Sequence, residues 1–338
     1  MAPDTQSRTI VVLGSTGHQG RGVVSSLLKD HASALWNVRA VTRNVNSASA
    51  QRLLTDFQTP DHRLSLVAGN LFNEESLRNA FSGAYGVFAV TSETGMSKVI
   101  ETEDDLKQEL ESGKTIIAAA KSCNIQHFVL SSLPDMKRAT GGRFEKLFHM
   151  DHKFVIEQWA KQELSAVTCI LPGLFFTNLD WQHYCRREAN GVVRFCAPVP
   201  STKVVEWVDP VYDMGIFAAE VFALGTAKTK NKNYVCSMKL RMDELAPTFT
   251  RVTGQPAVYD PIPLDEWADL ASKKVGAGFR EDIRQMMEWI SIAPEDKICY
   301  GAFDPAEDSS WEDLRLKAST FEDWLRRSGW RGPLEDNV

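Results

Sequence analysis

The 338-residue sequence predicts an α/β fold, an open, doubly wound parallel sheet joined to a smaller α+β lobe. Three observations predict it. Short apolar runs alternate with amphipathic segments through the first half, three spaced glycines separate the first run from the first amphipathic segment, and the alternation fades after residue 172.

The elements follow in order. TIVVL (9–13) is a strand that stops at a glycine, and Val23, Val24, Leu27 and Leu28 then recur at i, i+1, i+4 and i+5, a helical stripe. Strands VRAVTR (38–43) and RLSLVAG (63–69) precede a helix at 75–81 and strand YGVFAV (85–90). A long helix covers 104–122 and leads to strand HFVLSS (127–132). Helix 151–162 turns Phe154, Val155, Ile156 and Trp159 inward, and strand AVTCILP (166–172) closes the repeat. Six or seven such strands place a ligand crevice at their carboxyl ends, where the strand order switches.

The second half is less regular. A helix is expected over 210–223 with Pro210 just inside its start, then a strand NYVCSM (233–238) and a helix over 242–254 ended by glycine. VYDPIP (258–263) with helices 264–274 and 281–290 suggests a small cap, and 320–330 a short amphipathic helix through Phe321, Trp324 and Leu325. The division expected is 1–172 for the sheet and 173–338 mainly for the cap, the two interleaved.

Composition narrows the function. A formal net charge of −6 without clustered Lys and Arg argues against direct nucleic-acid binding. Six cysteines are scattered with no C-x-x-C pair, several within apolar runs, the pattern of reduced buried thiols rather than a zinc site. MAPDTQSRTIVV lacks the regions of a signal peptide and no apolar run approaches a membrane span, so the expected compartment is the cytoplasm, or also the nucleus.

Gly14, Gly17 and Gly20 form G-x-x-G-x-x-G between a strand and a helix, with Thr16, His18 and Gln19 among them. In that context the motif signals dinucleotide binding in a Rossmann sheet: bare backbone approaches a pyrophosphate, whose charge meets helix N-terminal N–H groups. At the end of the second strand an NAD site wants an acid for the ribose 2′-hydroxyl. VTRNVNS offers Arg43 instead, whose forked guanidinium suits a 2′-phosphate, with Asn44 and Ser47 as helpers; NADP(H) is therefore the expected cofactor. The same fold sets Asn70 beside the adenine and Leu71 against its face, with Thr91 and Ser92 toward the ribose and pyrophosphate, although each is equally an ordinary strand-end residue.

With GSTGHQG, Arg43, SGKTIIAAAKSCNIQHFVLSSLPD, LPGLFFTNL and TFEDWLRRSGW in this order, the chain resembles the NmrA-like family of atypical short-chain dehydrogenase/reductases over nearly its whole length. The resemblance implies the fold and NADP(H). It leaves activity divided, because some members are reductases in fungal small-molecule pathways and others act as NADP(H)-responsive redox sensors that regulate protein partners such as transcription factors.

The stretch HMDHK (149–153) carries that division. Reductases of the wider superfamily place Tyr and Lys at Y-x-x-x-K spacing; the Lys binds the nicotinamide ribose and lowers the Tyr pKa. Lys153 matches the Lys, but His149 stands at the Tyr position, while Ser132 supplies the strand hydroxyl and Ser131 adjoins the cofactor. Three readings stay open: His149 protonates a substrate that takes hydride; Lys153 binds cofactor at a silent site; or HMDHK is a solvated helix start with Asp151 as its cap or first-turn acid. Tyr184 or His183 are alternative donors. Trp181 and Tyr184 are candidate substrate liners with Asn178, whereas Phe175 and Phe176 read as core. The leading expectation is an NADPH-dependent reductase of an apolar carbonyl or conjugated small molecule. Its rival is a non-catalytic regulator acting through a protein partner, and a domain without cofactor is a third, weaker alternative. Oligomeric state is open.

Arg43→Ala is expected to weaken NADPH binding by roughly tenfold or more, the worth of about 1.5–3 kcal/mol for a charge-assisted contact, and to leave NADH binding unchanged. Calorimetry with both cofactors checks this; equal losses for the two would remove Arg43 from the phosphate.

Overall fold

The computed structural model describes residues 8–29, 35–92 and 99–334. Strands β1 (Arg8–Val12), β2 (Trp36–Thr42), β3 (Leu64–Ala68), β4 (Gly86–Ala89), β5 (His127–Ser131) and β6 (Val167–Pro172) run in parallel. Every residue of β4, β5 and β6 is buried, as expected of strands covered on both faces, and this is why they read as unbroken apolar runs. The edge strand β3 is more exposed.

The first-half helices are α1 (His18–Leu28), α2 (Ala48–Phe57), α3 (Glu74–Phe81), α4 (Gln108–Ser122), the single turn α5 (Met136–Ala139) and α6 (Phe148–Glu163). Helix α2 escaped the sequence pattern because it buries little more than Ala50 and Leu53. The helix expected over 104–122 is divided: a 3₁₀ segment, Glu103–Lys107, opens on a Thr102–Asp105 capping box and α4 follows. Helix α6 begins three residues earlier than predicted, and of its expected inward residues Ile156 is fully buried while Phe154, Val155 and Trp159 are half-buried.

Beyond β6 come β7 (Leu174–Phe175), β8 (Cys185–Arg187), β9 (Val193–Phe195) and β10 (Val204–Val208), short strands that the sequence pattern did not reveal. Helix α7 (Tyr212–Leu224) starts after Pro210, not around it. The Asp209 carboxylate accepts the N–H groups of Val211 and Tyr212, each at 3.0 Å, so Pro210 sits in the turn before the helix. After a turn, α8 (Thr226–Thr229), the expected strand 233–238 proves to be two: β11 (Asn233–Cys236) pairs with β6, and β12 (Met238–Arg241) pairs with β10 in another sheet. The break falls at Ser237, whose hydroxyl donates to Glu206 at 3.0 Å. The second half is completed by α9 (Leu245–Thr253), β13 (Ala257–Tyr259), α10 (Leu264–Val275), α11 (Arg280–Ile292), α12 (Ser310–Leu314), which packs on α7 and β11, and α13 (Phe321–Ser328).

The main sheet has the order β11-β6-β5-β4-β1-β2-β3, so the connections reverse direction between β4 and β1. Two three-stranded sheets, β12-β10-β7 and β13-β9-β8, belong to the second half. Phe176 lies flat against Trp207 (5.6 Å) and near Phe321 and Trp324, an aromatic stack that fastens α13. All six thiols are free and five are buried. Among the described residues no helix is long and apolar enough to cross a membrane.

Helices α1 and α7 cross against each other at Gly22 and Gly215. A Cβ on Gly22 would lie 1.8 Å from the Val211 carbonyl oxygen, and one on Gly215 would lie 2.5 Å from that of Gly22. The partners are backbone and cannot rotate away. Gly22→Ala should therefore destabilise the protein by about 1–3 kcal/mol, seen as a lower urea midpoint with an unchanged slope.

Candidate active site

The loop after β1 is shaped by close approach. Gly14 has φ +63°, and a Cβ there would lie 2.6 Å from Val90. Its carbonyl accepts from the Gly17 N–H at 2.9 Å, and a Cβ on Gly20 would come within 2.2 Å of that carbonyl oxygen. Gly17 caps α1 without a side-chain hydrogen bond, and no acid occupies the helix's first turn. Gly14, Thr16, Gly17 and His18 are exposed on the outer side of this turn. Ser15, buried and not anticipated, donates to the Val41 carbonyl at 2.8 Å and ties the loop to β2. The buried Gln19 Oε1 has no hydrogen-bond partner. An open backbone turn and an uncapped helix start fit a dinucleotide pyrophosphate, whereas the Gln19 Oε1, an acceptor, suits a cofactor hydroxyl or amide N–H.

Arg43 is exposed directly after β2. Ser47 and Asn44 serve the chain itself: Ser47 caps α2 through Ala50, and Asn44 Oδ1 accepts from the Asn46 N–H at 2.9 Å. No acid stands in the first turn of α2. Asn70 lies exposed past β3, and its Oδ1 closes a turn on the Phe72 N–H at 3.0 Å. Leu71 packs half-buried against the core.

Across the switch point, side chains from β4, β5, α4 and α6 converge. Glu109 is fully buried near the start of α4 and receives the Thr91 hydroxyl at 2.7 Å and the Lys153 ammonium at 2.5 Å. An ionised carboxylate can only accept, so Lys153 and Thr91 supply what burial removes. Lys153 also reaches the His149 carbonyl at 3.4 Å. Ser132 is buried, with its hydroxyl 3.3 Å from the Lys153 carbonyl, and Ser131 ends β5 beside it.

HMDHK is not a solvated helix start. The His149 and Lys153 side chains are 14% and 12% exposed; Leu147 occupies the cap position and Asp151 is the acid of the first turn. The Asp151 carboxylate accepts the Met136 N–H at 3.1 Å, and burial raises its pKa. His149 is held by Asp282 of the cap: its backbone N–H donates to Asp282 Oδ2 at 2.8 Å and its Nδ1 pairs with Oδ1. The Phe279 ring meets the imidazole edge-on at 5.5 Å.

These groups face a cavity of about 400 Å³ at the carboxyl ends of the strands. Gln19, Thr91, Ser92, Ser131, Ser132, His149 and Lys153 line its sheet side; Phe175, Asn178, Trp181, Tyr184 and Trp267 are on the cap side. Phe176 is core, whereas Phe175 reaches the cavity. Tyr184 is a poor proton donor: burial pushes its phenol well above the ordinary range, only partly offset by Asn178. Burial, with Lys274 and Arg186 nearby, pushes His183 down to about 3, so it is neutral near pH 7. Thr16, His18, Arg43, Asn70 and Leu71 lie outside this cavity, along the glycine loop and the β2 and β3 ends. The sequence pointed to neither Glu109 nor Asp282, because each looks like an ordinary helix acid.

The pattern of the NmrA-like family matches residues 6–325. This chain belongs to the NmrA-like family. Among its relatives, the NmrA-like family domain-containing oxidoreductase malD of Malbranchea aurantiaca is 26% identical over 83% of this chain and 82% of that one. The family's oxidoreductase ptmS of Penicillium ochrochloron is 31% identical over 93% and 92%. The crystal structure of NmrA, a negative transcriptional regulator, in complex with NADP shares this NmrA-like fold with a TM-score of 0.68 at 21% identity, covering 96% of this chain and 93% of that one.

Removing Glu109 takes its carboxylate partner from the largely buried Lys153 ammonium. Glu109→Ala should cost about 3 kcal/mol of stability, and the Glu109→Ala/Lys153→Met double variant should recover part of that loss. Denaturant titration of the two singles and the double gives the coupling; strictly additive losses would show that the pair is not an energetic unit.

Proposed function

We propose that the protein is an NADPH-dependent reductase of an apolar carbonyl or conjugated small molecule. The observation that carries this is the roofed cavity: it is continuous from Gln19 of the glycine loop to an aromatic cap wall, and it passes Lys153 and His149 on the way. The open loop fits the pyrophosphate, Arg43 suits the 2′-phosphate, and Lys153 is the residue that would bind a nicotinamide ribose hydroxyl. Bound NADPH supplies hydride to the acceptor carbon. His149 delivers the proton to the acceptor oxygen, a role open to an imidazole whose Nδ1 is held by a buried carboxylate. Phe175, Trp181 and Trp267 exclude water and favour an apolar, flat substrate. The oxidoreductase names of the relatives agree with this reading.

The second reading is an NADP(H)-responsive regulator acting through a protein partner. It draws on the histidine at the position where reductases keep tyrosine, and on the likeness to a transcriptional regulator.

Loss of NADPH absorbance across quinones, enals and polyketide-like ketones tests the choice. Turnover of at least one acceptor is expected, and His149→Phe should lower kcat by roughly 10²–10⁴-fold with NADPH affinity retained. Absence of turnover, together with capture of a protein partner that depends on the cofactor's redox state, would select the regulator.

A further inference from the structure

His149 lies on α6, yet the groups that set its orientation come from the cap. Asp282, 133 residues further on in the first turn of α11, is buried, and it uses both oxygens on one residue. One oxygen takes the His149 main-chain N–H at 2.8 Å and the other takes ring Nδ1, while Phe279, just before α11, meets the ring edge-on. Gripping backbone and ring together leaves the imidazole little rotational freedom. A carboxylate only accepts, so the hydrogen is on Nδ1, and Nε2 is the nitrogen that gains and loses a proton.

We propose that Asp282 is the positioning residue of a His149–Asp282 dyad, which holds the imidazole as the Nδ1–H tautomer so that Nε2 is the proton donor, and which exists only when the cap is seated on the sheet. The inference rests on the reductase reading. In the step, the acceptor carbon gains hydride from NADPH and the C=O π pair moves onto oxygen. That oxygen takes the Nε2 proton, leaving neutral imidazole that still donates Nδ1–H to Asp282; solvent returns the proton. NADPH is the reductant, and the balance is NADPH, carbonyl and one proton to NADP+ and alcohol. The aspartate stabilises the imidazolium before transfer, as in hydrolytic triads. Other charges near the dyad are Lys153, His152 and Asp151 on α6 and Glu281 beside Asp282. A reductase that assembles its acid from two lobes would protonate only an enclosed acceptor.

The test is carried out on the full chain. Asp282→Asn keeps the side-chain volume but can satisfy only one of the two His149 N–H groups. It should lower kcat by roughly 10²–10⁴-fold with acceptor KM and NADPH Kd nearly unchanged, as His149→Gln should. The double variant should be no slower than the slower single, because the two residues act as one unit. Histidine-selective 15N NMR of the unmodified protein should show His149 with a low-field Nδ1 proton, and that signal should vanish in Asp282→Asn. An Nε2–H tautomer in the unmodified protein overturns the dyad, whether or not the variant folds. So does an Asp282→Asn loss that is equally large in the His149→Gln background, which would mark a purely structural cap contact. Turnover untouched by Asp282→Asn overturns the dyad and leaves the reductase reading standing. No turnover with any acceptor overturns the reductase reading and the proton-donor role with it, even where the Nδ1 proton is present.

Discussion

A carboxylate removed from water must be met by positive charge or by hydrogen-bond donors, and two such groups, Glu109 and Asp282, organise the site around that requirement. Glu109 draws in the Lys153 ammonium and the Thr91 hydroxyl, joining α4, α6 and the end of β4 at the switch point. Asp282 takes the backbone and ring of His149 and joins the cap to the same helix. Lys153 and His149, a helical turn apart, are thus each held by a buried acid from a different element, α4 and α11.

The path of the chain makes this convergence available. It leaves the main sheet after β6, returns as α7 and β11, and leaves again at Ser237, where the backbone turns from the β6 ladder to the β10 ladder. The α1–α7 crossing at Gly22 and Gly215 holds the returning segment tightly to the nucleotide-binding half, since no side chain keeps the backbones apart. Helices α10 and α11 then lie over the carboxyl ends of the strands, so that Trp267 lines the same cavity as Lys153 and His149 while Phe279 packs directly against the His149 ring.

How much of this was legible depended on range. Strands β4 to β6 stand out because both faces are buried, β1 to β3 because each is a short, mainly apolar run, and the glycine loop because its spacing is confined to one turn. Helix α2 does not, with only a thin apolar face, and neither do β7 to β10, each two to five residues long with pairing set by distant partners. Pro210 in the sequence suggests a helix start, but the Asp209 side chain places the helix beyond it. In the same way NYVCSM is apolar enough for one strand, yet its two halves pair with different neighbours.

Local order along the chain determined the doubly wound sheet, the dinucleotide loop, Arg43 in place of an acid, and Lys153 at helical spacing from a histidine. These are statements about residues within a turn or a strand of each other, where period and spacing act directly. Tertiary structure alone decided what that histidine touches. Glu109 lies 44 residues before Lys153 and Asp282 lies 133 residues after His149, and no periodicity links such separations. Only the packing of α4 and the cap against α6, which strips water from both acids, gives the pair at 149 and 153 its chemistry.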